Sequence, residues 1–222
     1  MVKVICVPDM HLPWVEAGAL SQVYLAIERE NPNVVIQLGD LYDMYSHSKF
    51  PRSHDLITPK EEICEARLGA ENFWKNVRKI SGNIRCVQIL GNHDLRPSKR
   101  ISERYPEIAQ LAGIDDLFKF PSVETILDSR SEFTIDGNIY THGHFSRLGQ
   151  HCLFYGRNVI HGHRHRGGVA YERMFGKTIW ELDCGYLADE NCEPLQYSAT
   201  KTTKWTLGYG QVDHLGPRFI PI

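Results

Sequence analysis

Val34-Val35-Ile36-Gln37-Leu38-Gly39-Asp40 is the stretch on which the fold turns. Four of its first five residues are apolar and three are β-branched, the pattern of a strand buried on both faces. The run ends directly on a glycine and an aspartate. Two other stretches read the same way. Val2-Lys3-Val4-Ile5-Cys6-Val7 leads into Pro8-Asp9-Met10-His11, and Ile84-Arg85-Cys86-Val87-Gln88-Ile89-Leu90 leads into Gly91-Asn92-His93-Asp94. Helical patterns lie between the three. Residues 16–30 place Ala19, Leu20, Val23 and Ile27 at helical spacing, and Asn31-Pro32 stops them. Thr58-Pro59-Lys60-Glu61 is a capping box with proline at the first helical position; its helix should run to about residue 79, where Ser81-Gly82-Asn83 ends it. Buried strands alternating with helices predict a layered α/β fold.

The texture changes further on. Residues 98–111 read as a helix interrupted near Pro106. Glu132-Phe133-Thr134-Ile135, Asp136-Gly137 and Ile139-Tyr140 form a hairpin signal. Asn158-Val159-Ile160 is a short strand, residues 169–184 suggest a second hairpin in which Trp180, Leu182 and Cys184 alternate, and 205–212 a final strand. The order is strand–helix units first, then a strand-rich half, without internal repeat or linker.

Length and composition fit one domain spanning residues 1–222, with 42% apolar residues. A net charge of −2 supplies no global field for nucleic acid or membrane, although it leaves room for a local basic cleft. The N-terminal apolar run is too short for a signal core, and nothing approaches the roughly 20 apolar residues of a membrane span. Six dispersed cysteines without a CxxC pair read as free thiols, with Cys6 and Cys86 in the core. A cytoplasmic protein is expected. No feature sets an oligomeric state.

Five short segments carry the chemistry: Asp9-Met10-His11, Gly39-Asp40, Gly91-Asn92-His93-Asp94, His142-Gly143-His144 and Gly162-His163-Arg164-His165. Six of the eleven histidines fall between positions 142 and 165. Each residue alone has an ordinary reading: Asp9 a helix cap, Asn92 a turn, His163 and His165 part of a solvated basic loop. Together the segments supply carboxylate, amide and imidazole ligands for two divalent ions, each just after a strand, where layered α/β folds build sites. Two such ions about 3.5–4 Å apart acidify a water and clamp phosphoryl oxygens, so that hydroxide attacks phosphorus in line.

The ordered series Asp9-x-His11, Gly39-Asp40-x-x-Asp43, Gly91-Asn92-His93-Asp94, His142 and Gly162-His163-x-His165 resembles the calcineurin-like metallophosphoesterase superfamily. The resemblance implies a four-layer α-β-β-α sandwich with a dinuclear site at the strand ends. It implies Asp9, His11 and His165 on the first metal, Asn92, His142 and His163 on the second, and Asp40 bridging both. His93 would be the proton donor, oriented by Asp94, with Asp43 supporting the ligands from behind. Manganese is the expected ion, while iron, zinc or nickel also suit such a shell.

His144 reads as a loop residue or a partner of a ligand, His161 as packing near a strand end, and His47 and His54 as candidates for a cleft wall. Arg96, Lys99, Arg100 and Arg104 form either an ordinary charged helix face or a basic rim for a polyanion, which Arg52 would join. The protein Ser/Thr phosphatase branch carries an arginine before its Gly-Asn-His and a Val-Asp-Arg-Gly after its Gly-Asp. This chain has Leu90 and Leu41-Tyr42-Asp43-Met44 there, which is more similar to the nuclease and phosphodiesterase branch. It lacks the appended domains of the repair nucleases and is similar instead to small stand-alone phosphoesterases of bacteria and phages, which would place it in a host cytoplasm if phage-encoded. The leading expectation is a metal-dependent phosphodiesterase acting on a nucleotide or nucleic acid. A phosphomonoesterase is the alternative, followed by a non-catalytic scaffold, which would be expected to have lost ligands that this chain keeps.

Overall fold

The computed structural model describes residues 2–49, 57–109, 114–127, 132–198 and 204–222. The three buried runs form β1 (Val4–Val7), β2 (Val34–Gln37) and β3 (Arg85–Ile89), which pair in parallel with Val4 opposite Val34 and Val34 opposite Arg85. A short parallel strand, β4 (Val123–Ile126), extends β3 on one side. At the other side β10 (Gly208–Asp213) pairs antiparallel with β1, and β11 (Gly216–Pro221) closes the edge. The six-stranded order is β11-β10-β1-β2-β3-β4.

A second sheet runs β5-β6-β7-β9-β8, built from β5 (Phe133–Ile135), β6 (Asn138–Tyr140), β7 (Val159–His161), β8 (Gly168–Met174) and β9 (Lys177–Asp183). Its three inner strands are parallel and its two edges antiparallel.

The period-2 alternation of a strand sends each buried run to two cores. Ile5, Val7 and Val35 pack under α1 (Ala17–Glu30) and α2 (Pro59–Ile80), against Val23, Ile27, Phe73 and Val77. Val4, Cys6, Val34 and Ile36 face the other sheet and meet Ile135, Tyr140, Ile160 and Leu182. On the far side, Ile139, Val159 and Ile179 cluster with Cys152 and Tyr155 of α5 (Gln150–Tyr155). The result is a four-layer α-β-β-α sandwich.

Local signals act as the sequence predicts. Thr58 and Glu61 form the reciprocal capping box, and Asn31 ends α1 in the left-handed conformation. Pro106 separates α3 (Arg96–Arg104) from α4 (Pro106–Ala109), and Asp136-Gly137 makes the left-handed hairpin turn. The expected strand at 205–212 begins only at Gly208, and β4, β11 and α5 have no counterpart in the sequence reading. β4 is four residues with no fully buried position, and α5 is six residues bracketed by left-handed Gly149 and Gly156, too short to display a helical period. All six cysteines are free, with Cys6 and Cys86 buried. Among the described residues no helix is long and apolar enough to cross a membrane.

Candidate metal centre

Asp9, Asp40, Asn92, His142 and His163 each follow the C-terminal end of a strand: β1, β2, β3, β6 and β7. The backbone there is forced. His11, Asp40, His163 and His165 all have positive φ, between 47° and 67°, a region that non-glycine residues rarely enter and that clusters at functional sites. Two glycines let the loops close. A Cβ on Gly91 would lie 2.1 Å from Asp40 Oδ1, and one on Gly162 would lie 2.3 Å from Asp9 Oδ1.

The loops bring together the residues read from the sequence. Asp9, His11 and His165 have potential ligand atoms within 4.8 Å of one another, as do Asp40, His142 and His163. Asp9 Oδ2 lies 2.9 Å from His165 Nε2, and His11 Nε2 lies 3.2 Å from the same nitrogen. In the second group His142 Nε2 is 3.0 Å from Asn92 Oδ1, 3.2 Å from His163 Nδ1 and 3.4 Å from Asp40 Oδ2. Asp40 also falls in a third group with His11 and His93, so its carboxylate sits where both sets converge.

These residues fit divalent ions. Asp9 Oδ1 is buried and has no hydrogen-bond partner, a costly state that a cation would relieve. His11 donates Nδ1–H to Asp43 Oδ2 at 2.8 Å, and His142 donates Nδ1–H to Leu38 O at 2.9 Å. Both rings therefore turn Nε2 toward the cluster, as imidazoles do when a hydrogen bond behind them fixes the ring to present its other nitrogen to a metal. Burial pushes His11 down and His163 down to about 4, the latter with help from neighbouring His142, so both present lone pairs. Burial opposes charge on His142 too, but Asp40 and Asp9 outweigh it and hold the ring up to about 10. An ion held there would take the place of the proton on Nε2.

His93 is buried beside Asp40, its backbone N–H donating to Asp40 Oδ1 at 2.8 Å. Its orienting contacts differ from the expectation. Asp94 does not hold the ring: its carboxylate accepts the backbone N–H groups of Gly91 (2.7 Å), Tyr42 (2.8 Å) and Leu41 (3.3 Å), tying the β2 and β3 loops together. Burial and the charge of Asp40 push Asp94 up to about 7. Asp43 takes the orienting place, with its backbone oxygen 3.2 Å and its Oδ2 3.3 Å from His93 Nδ1. Arg96 completes the set, donating to Asp43 O at 2.9 Å and to His93 Nε2 at 2.9 Å. The carboxylates of Asp40 and Asp43 raise the His93 pKa against burial and against Arg96.

Beneath the second ligand group lies a network with no sequence signature. Glu181, His151 and His161 are fully buried. Glu181 Oε1 meets His151 Nδ1 at 3.1 Å and His161 Nε2 at 2.9 Å, while Oε2 accepts the backbone N–H groups of His151 and Cys152 that begin α5. His151 Nε2 accepts the backbone N–H groups of His144 and Phe145, and His161 Nδ1 donates to Gly162 O at 2.8 Å. The network thus pins the loops that carry His142 and His163. His144 itself is exposed, its ring against Phe145, His151 and Phe154. Arg164 braces the same loop, donating Nε–H to Ser146 O at 3.0 Å and lying 3.3 Å from Asp183 Oδ2.

A cavity of about 830 Å³ opens over the cluster, lined among others by Asn92, His93, His163, His165, Arg96, Arg100 and Trp205. His47 is part of its wall, as the sequence suggested. Arg52 and His54 lie outside the described residues.

The "Gene 54 protein" of Mycobacterium phage D29 is 27% identical over 253 residues, covering 99% of this chain and 93% of that protein. Its counterpart from Mycobacterium phage L5 is 26% identical over 249 residues with the same coverage. Among solved structures, the phosphoesterase YfcE from E. coli aligns over 96% of this chain and 88% of its own at 17% identity and a TM-score of 0.45. Calcineurin-like phosphoesterase is the family matched by residues 2–176, and the chain belongs to it.

Proposed function

We propose that the protein is a dinuclear-metal-dependent phosphodiesterase acting on a nucleotide or nucleic-acid substrate, with manganese as the working ion. Two neighbouring ligand groups, Asp9–His11–His165 and Asp40–His142–His163, support the reading, with His11 of the first also grouped with Asp40 of the second. The ions, when bound, supply an acidified water and a clamp on the phosphoryl oxygens. Asp9, His11 and His165 would hold one, Asn92, His142 and His163 the other, with Asp40 between them. Asp43 fixes His11 and His93 together through one buried carboxylate. In the observed arrangement the guanidinium donates to His93 Nε2, so the ring proton sits on Nδ1. Donation to a leaving oxygen from Nε2 requires Arg96 to yield its place and the ring to take up a second proton there, as the imidazolium that the Asp40 and Asp43 carboxylates favour.

The basic wall of the cleft supports a substrate that carries further phosphates beside the one at the metals, as a nucleic-acid diester does. The deciding assay compares bis-p-nitrophenyl phosphate with p-nitrophenyl phosphate in the presence of manganese. Faster turnover of the diester is expected; a clear preference for the monoester makes the protein a phosphatase.

A further inference from the structure

Arg96, Lys99, Arg100, Glu103 and Arg104 of α3 all line the cavity over the metal cluster. Their spacing places them on one face of the helix, four cations against one acid. The whole chain carries −2, so this is a local field. Arg96 is engaged with Asp43 and His93 at the near end. Among the described residues Lys99, Arg100 and Arg104 make no ion pair, although they flank a single cavity. Eight helical residues rise about 12 Å from Arg96 to Arg104, whereas a stacked strand advances about 3.4 Å per phosphate. A lone phosphate at the metals would leave most of this face unused.

Trp205 lies on the cavity wall, its ring 4.8 Å from that of the candidate ligand His165. An indole in that place is within reach of a base next to the scissile phosphate, and stacking on an indole requires an unpaired base. The cavity is of the size that encloses small ligands. A volume of about 830 Å³ matches a few nucleotides of one strand. We infer that the substrate is a single-stranded nucleic acid whose phosphates on one side of the scissile bond run along α3, with the adjoining base at Trp205. This rests on the phosphodiesterase reading of the same site.

The test is a length series of end-labelled single strands, two to ten nucleotides, in DNA and RNA, on the manganese-loaded protein. A matched duplex, a 2′,3′-cyclic mononucleotide and bis-p-nitrophenyl phosphate complete the set. kcat/KM should rise about tenfold or more from dinucleotide to hexanucleotide, with the duplex slower by a similar factor. The Lys99→Gln/Arg104→Gln variant should lower the hexanucleotide to bis-p-nitrophenyl phosphate ratio about tenfold and make the salt slope of log kcat/KM shallower by about 1.4. The DNA and RNA arms report which sugar is preferred. Equal kcat/KM at every length, or fastest turnover of the duplex or cyclic mononucleotide, overturns the single-strand track while leaving diester hydrolysis standing. No hydrolysis of any diester overturns both.

Discussion

Gly162 and Gly91 have no room for a methyl group, because the carboxylates of Asp9 and Asp40 occupy the space a Cβ would take. Gly162 does not have positive φ, so Gly162→Ala tests crowding of Asp9 rather than backbone strain. Manganese titrated calorimetrically into this variant should bind at least about tenfold more weakly than to the wild type, the scale on which disturbed ligand support acts. Unchanged affinity would show that Asp9 does not hold an ion. His93→Asn addresses the chemistry instead. It should keep both ions and lose about 10²–10⁴-fold in turnover of esters with poor leaving groups; equal turnover would remove His93 as proton donor. At this scale the sequence was legible where a motif residue offers a ligand atom to the cluster. Asp9, Asp40, Asn92, His142, His163 and His165 converge as the pattern requires. The role of Asp94 was not legible, because a carboxylate beside a histidine in sequence need not face its ring, and here it caps backbone amides.

At the scale of elements, the Glu181 network couples β9, β7 and α5 to the ligand loops. No pattern in the sequence marks it, since it joins three positions from separate elements, one of them on a helix too short to show a period. Glu181→Leu leaves two buried imidazoles without their acceptor and should cost about 3–5 kcal/mol in urea unfolding. A loss under 1 kcal/mol would mean the network is dispensable. Its pH dependence has a definite sign. Burial depresses His151 from 6.5 to about 4, so the unfolded chain binds the proton more readily. The contribution is complete above about pH 6.5 and is lost as pH falls toward 4, roughly 2 kcal/mol of it by pH 5. In the metal-free protein His163, also held near 4, acts in the same direction. The raised His142 and the raised Asp94 act the other way, each gaining stability as pH falls from 7 to 5. From pH 7 to 5 the melting temperature of the wild type should therefore fall relative to that of His151→Gln; a difference between the two that does not change with pH would remove this role from His151.

For the whole molecule, two sheets face each other through one apolar layer, and the ends of strands from both sheets meet at the cluster. Neither sheet holds a complete ligand group. Asp9, Asp40 and Asn92 come from the first, His142, His163 and His165 from the second, so ions held as proposed would cross-link the halves. The buried strand runs made the first sheet and its α/β character readable in sequence. The second sheet was harder to read because β5, β6 and β7 are three residues each and the sheet is held by non-local pairing. Metal binding to the folded state alone should stabilise it, by about 2.7 kcal/mol at a hundredfold excess over Kd. The most direct test of the central claim is anomalous diffraction from crystals grown with manganese. Two peaks about 3.5–4 Å apart, with the Asp40 carboxylate between them, are predicted; no peak at Asp40, or a single ion touching only one sheet, would contradict a shared dinuclear centre.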